Sequence, residues 1–383
     1  MDIETGEQTP QIPAVMKFTP AVFAVRNEYQ IMIPVKEPTI MWVQVGTDTY
    51  YDESNGILRS DTDLHKITVP MSVLDTAGEY TVYWKRMIER KPYFPVAGPV
   101  ESAEFAFSPL RGELIRAYMI ADAHGHFQKA LGAAKLFMEQ QGGIDLLILN
   151  GDVVNHSGSL EYFDIYYQLA QEITGGSVPV VVSRGNHDLR GACAEKLAQY
   201  TPGENGNSYF SFRLGSLWGL VLDCGEDKND DHPEYGGTIC CHAFRERETA
   251  YLDAIIENAK HEYNAPGVEH KIIISHVPFT EIPKPPFDIE QEVYRGWVER
   301  LNDDVRPDVM LCGHVHQMYV TNKGEEMDAY GAEFPVVVGS RLHEDNENEK
   351  NTYFAGCGVV MENEEIRVFF NDSEKVLQEI TLS

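Results

Sequence analysis

The chain has 383 residues, 43% hydrophobic and 10% aromatic, which suits a folded globular protein of about two domains and argues against disorder. With 60 acidic against 31 basic residues, its formal charge of −29 repels nucleic acid and anionic membranes and excludes coating either as the expected role. No apolar run reaches the ~18 residues of a membrane span, and the acidic start (residues 1–13) lacks the texture of a signal peptide, so the expected location is the cytoplasm.

In chain order, the first 112 residues carry short β-branched and aromatic runs: Val22 to Val25, Gln30 to Val35, Ile40 to Val45, Lys66 to Val69 and Glu79 to Trp84. Turn-forming clusters such as Asp52 to Gly56 separate them, and this spacing predicts an all-β sandwich of the fibronectin or immunoglobulin kind over residues 1–112. Beyond Gly112 the texture changes. Leu114 to Ile120, Asp145 to Leu149, Val178 to Val182, Leu217 to Leu222, Lys271 to Ile274 and Val309 to Leu311 read as buried strands. Phe127 to Gln140, Leu160 to Ile173, Arg245 to Lys260 and Glu290 to Leu301 have helical spacing. The alternation predicts an α/β domain over residues 113–383, with ligands gathered at the carboxyl ends of its strands. The acidic run around Glu344, Asp345, Glu347 and Glu349 reads as a solvated loop.

Five of those strands end in hard or borderline metal donors. Asp122 and His124 follow the first, and Asp152 and Asn155 follow the second. The third delivers Gly185-Asn186-His187-Asp188, the fourth His276, and the fifth Gly313-His314-Val315-His316. Any one of these loops arises readily by chance, and each residue alone reads as an ordinary structural His or Asp. The ordered set does not. Oxygen and imidazole donors without thiolate suit manganese, iron or zinc. The six cysteines show no zinc-type pairing; Cys224 and Cys312 read as small buried hydrophobes, and Cys240 and Cys241 as an inert pair.

The pattern D-x-H, G-D, G-N-H-D, a lone His and G-H-x-H resembles the calcineurin-like metallophosphoesterase superfamily, and the match runs from Asp122 to His316. The resemblance implies a four-layer α/β sandwich of two sheets flanked by helices. It implies two metal ions: Asp122, His124 and His316 on one, Asn186, His276 and His314 on the other, and Asp152 bridging them. It further implies hydrolysis of a phosphate ester by hydroxide held between the metals. His187 would serve as the acid for the leaving group, with Asp188 orienting it. Gly151, Gly185 and Gly313 would permit the tight turns that aim these side chains.

Arg184, Arg190 and Asn155 are candidate substrate contacts, the two guanidinium groups because they fork onto phosphate oxygens. The polar stretch from Gly225 to His242 reads as a loop over the site, with Glu226, Lys228, His232 and Tyr235 as further candidates; an acidic surface excursion is the plain alternative. A β-rich front before such a domain resembles purple acid phosphatases. Two positions differ: Asn155 stands where that branch has Tyr, and His124 where it lacks His, so the chain is grouped with bacterial-type enzymes. The expected partner is a small phosphorylated substrate, monoester or diester; an oligomer is allowed but not required. A fold-retaining binding or scaffold protein without catalysis is the alternative, which the intact ligand set opposes.

Overall fold

The computed structural model describes residues 12–281, 284–343 and 352–382. The acidic run at Glu344, Asp345, Glu347 and Glu349 lies outside them, as do residues 1–11 of the start. Two sheets face each other at the centre. In the ten-stranded sheet, Leu114–Ile120, Leu146–Asn150 and Val180–Ser183 run parallel side by side. In the six-stranded sheet, Leu217–Leu222, His270–Ser275, Val309–Cys312 and Val336–Val338 do the same. Strand periodicity sorts the side chains. Ile115, Ala117 and Met119 face the second sheet, meeting residues such as Phe212, Ile274 and Leu311. Tyr118 and Ile120 face outward, beneath the helices Phe127–Gln141 and Asp164–Thr174. The helices Cys241–Glu257 and Gln291–Arg300 cover the outer face of the second sheet, and the result is four layers, helix–sheet–sheet–helix.

The front of the chain does form two packed β layers. One is an antiparallel sheet built on Thr39–Val45, Glu79–Glu89 and Glu101–Ala106. The other is the main sheet itself: Ala21–Val25, Glu28–Pro34 and Leu64–Pro70 continue it beyond Val180–Ser183, with Phe23 opposite Val180. Met41, Val43, Tyr80 and Val82 share one apolar cluster with Val22, Ile31 and Val69 and with the core between the two central sheets. Hydrogen bonding therefore does not stop at residue 112; only strand texture changes there. Arg26, just past its strand, also bridges to Phe212 of the second sheet, its N–H donating to Ser211 at 2.7 Å. Antiparallel strands at Phe210–Leu214, Tyr353–Glu362, Glu365–Asn371 and Val376–Leu382 complete the sheets and were not anticipated from the sequence.

Candidate metal centre

Parallel strands of both sheets end at one edge of the molecule, and there the polar loops converge. Asp122, His124 and His316 bring one donor atom each within 4.8 Å of one another, as do Asp152, His276 and His314, and as do His124, Asp152 and His187. Nε2 of His316 lies 3.4 Å from an Asp122 oxygen and 3.1 Å from Nε2 of His124. Nε2 of His276 lies 3.2 Å from Asp152 Oδ2, and Nε2 of His124 and of His187 each 4.0 Å from that same oxygen. Asp152 is thus shared by both halves of the cluster.

The donor set fits cations. Nδ1 of His276 donates to the Asn150 carbonyl at 2.8 Å, which turns Nε2 inward onto Asp152. That Nε2 is buried, but burial is outweighed by the Asp152 carboxylate 3.2 Å away, which pushes the His276 imidazole up to about 10. Nε2 of His124 and of His316 stand too close for both to be lone pairs without a shared proton or cation. Asn186 carries its amide 3.0 Å from Nδ1 of His314. Turned with nitrogen inward, it would donate to His314 and to Asp152 at 3.2 Å; turned with oxygen inward, it joins a ring of acceptors that only a cation satisfies. Burial pushes the His124 imidazole below its ordinary pKa, and burial together with His276 pushes His314 down to about 4, so both rings present lone pairs. Burial works to raise the Asp152 carboxyl, but the His276, His187 and His124 rings prevail and hold it below the usual carboxylate range.

Backbone conformation aims these groups. Asp122, His124, Asp152, His314 and His316 all have φ between 43° and 73°, the left-handed region. Gly151 is left-handed too, at φ 76°. Gly185 and Gly313 are not; they are needed for room, because a Cβ on Gly185 would collide with the Asp152 carboxylate and one on Gly313 would come 2.7 Å from Asp122 Oδ2. The expectation that all three glycines serve the turn is corrected for these two.

His187 faces the cleft with its Nδ1 2.9 Å from the Asn155 carbonyl and its Nε2 3.5 Å from Arg190 Nη1 and 4.0 Å from Asp152 Oδ2. Two expectations change here. Asp188 does not orient that ring: its carboxylate is fully buried and accepts from the Gly185 N–H at 2.7 Å, the Asp152 N–H at 3.2 Å and the Tyr166 hydroxyl at 2.9 Å. Burial and the Asp152 charge push its pKa up to about 7. Asn155 contributes its backbone carbonyl, while its side chain is exposed.

The arginines are also engaged elsewhere. Arg184 has its Nε 2.7 Å from Asp223 and its guanidinium over Phe244, and it lines a separate cavity beside Tyr166 and Ser208, because the buried Asp223 carboxylate captures it. Arg190 does line the ligand cavity, but Glu226 grips its fork at 2.8 and 2.7 Å, so it fastens the Gly225 to His242 loop. From that loop Lys228 lines the cavity, whereas Tyr235 bonds Asp227 at 3.0 Å and His232 caps Glu234. Asp227 was missed in the sequence, lost in an acidic run. Its Oδ2 lies 3.8 Å from His314 Nε2, placed to hold that ring from behind.

A family model described as calcineurin-like phosphoesterase matches residues 115–318, more than half of the chain. No curated protein matches it. Among solved structures, the purple acid phosphatase PPD1 from yellow lupin (Lupinus luteus) seeds has 12% identity and a TM-score of 0.61, covering 96% of this chain and 74% of that one. GAP50, the anchor in the inner membrane complex of Plasmodium, has 14% identity and a TM-score of 0.46, covering 71% and 89%. No helix among the described residues is long and apolar enough to cross a membrane.

Proposed function

From the premise that this chain belongs to the calcineurin-like phosphoesterase family, we propose that it hydrolyses a small phosphate ester at a centre of two divalent cations. The observation that carries this reading is the convergence of Asp, Asn and His donor atoms from separate strand ends, with Asp152 shared between the groups. Asp122, His124 and His316 would hold one cation, Asn186, His276 and His314 the other, with Asp152 common to both. The donor chemistry suits manganese, iron or zinc. Bound there, the cations supply an activated water and polarise the phosphoryl oxygens.

His187 does the proton work in this reading. Its Nδ1–H is committed to Asn155, so Nε2 is the atom that delivers a proton to the departing oxygen. Asp227 and Lys228 wall the cavity from the loop, which favours small esters over long polymers. All six thiols are free, which fits the reducing cytoplasm. The test assays p-nitrophenyl phosphate and bis-p-nitrophenyl phosphate with manganese, wild type against His187→Ala. We expect the variant to keep its metal and lose about 10²–10⁴-fold in turnover. Undiminished turnover removes His187 from the acid role; an inert wild type with metal bound favours the scaffold alternative.

A further inference from the structure

The ligand cluster opens into a cavity of about 700 Å³, far more than a phosphoryl group fills and within the range of sites for small organic ligands. Asp152, Asn186, His187, His314 and His316 line one part of it. Elsewhere Val277, Phe279, Phe287 and Ile289 form an apolar wall, while Lys228 and Lys284 also line the cavity. Set in that wall is one carboxyl, Glu281, only 7% exposed, whose Oε1 has no hydrogen-bond partner among the described residues. A buried polar atom left unpaired is costly, so a ligand that satisfies it gains selectivity as well as affinity.

Resting on the phosphoesterase reading, we propose that this wall is a leaving-group subsite for a flat, largely apolar ring system with a hydrogen-bonding N–H edge, and that the substrate is a nucleoside phosphate. The ring lies against Phe279 and Val277 while its polar edge pairs with Glu281. The ester oxygen then faces the cluster and His187. A flat base fits an aromatic and aliphatic wall, where a sugar or glycerol group would leave that wall wetted and Glu281 unpaired. Burial, which pushes the Glu281 carboxyl up to about 8, makes it a donor as well as an acceptor near neutral pH, matching the mixed edge of a purine.

The experiment compares kcat/KM for adenosine and guanosine 5′-monophosphates with that for glycerol 2-phosphate, in the manganese-loaded full chain and in Glu281→Leu and Glu281→Gln. The preference ratio cancels losses common to both substrates. We expect a base-bearing monophosphate to be preferred at least tenfold, and Glu281→Leu to cut that ratio about tenfold or more. Calorimetric titration with adenosine and guanosine, which have no phosphate to hydrolyse, provides an independent reading: one binds the wild type, and Glu281→Leu weakens it by a similar factor. Should Glu281→Leu fail to fold, Glu281→Gln carries the test, with a smaller change in ratio. Equal turnover of nucleotides and glycerol phosphate, or a ratio unmoved in the variants, overturns the subsite while leaving the phosphoesterase reading intact. Absence of hydrolysis of every ester, with nucleoside still bound, overturns the phosphoesterase reading and leaves the subsite.

Discussion

At the scale of single residues, the centre is built from conformations that L-residues avoid. Five ligand candidates are left-handed, and such strain costs about 1–3 kcal/mol per residue, tolerated where the surrounding structure over-determines it. Asp188 shows how. One carboxylate oxygen holds the N–H groups of both Asp152 and Gly185, tying two ligand loops together. Asp188→Ala leaves those donors unpaired and should lower stability by about 2 kcal/mol or more in urea unfolding. Asp188→Asn keeps an acceptor there and should retain activity within about tenfold, whereas a residue supporting a charged His187 would not allow that exchange. Because only the Asn155 backbone serves His187, Asn155→Ala should stay within about threefold of wild-type turnover. Glu281 sets a pH dependence. Its folded pKa of about 8 lies above the ordinary 4.5, so the folded chain binds the extra proton between those values. Its contribution is present in full below pH 4.5 and is lost as pH rises through 8; Glu281→Gln should therefore flatten the decline of wild-type stability from pH 5 to 8, read by urea midpoints.

At the scale of elements, the site exists because loops follow parallel strands at one edge of two facing sheets. The strands were legible because burial on both faces makes them continuous apolar runs, as in Leu146–Asn150 and Val180–Ser183. The antiparallel closing strands escaped notice. Val376–Leu382 is half exposed and mixed in composition, so nothing in its pattern separates it from a loop. Loop contacts impose their own sequence demand. Gly185→Ala forces a methyl group into Asp152, and we expect it to cost about 1–3 kcal/mol and to lower bound manganese, measured by metal analysis beside a thermal melt. A thermal midpoint and metal content equal to wild type would show that the loop yields without cost.

At the scale of the whole molecule, the front of the chain is bonded into the main sheet: Ala21–Val25 pairs with Val180–Ser183, three residues from Asn186. Removing residues 1–112 would bare that strand edge and half of a shared apolar cluster. The fragment 113–383 should therefore be insoluble or unfolded by circular dichroism; a soluble, metal-binding fragment would show the front to be dispensable. The sequence by itself determined the fold family and the order of the candidate donor residues along the chain, because turn glycines, donor residues and apolar strands are local signals. Tertiary structure alone decided which groups are available to a substrate. Arg184 and Arg190 are spoken for by Asp223 and Glu226, Asp227 backs His314, and Glu281 faces an apolar wall. Such pairings depend on distances between residues remote in the chain, which no local pattern encodes.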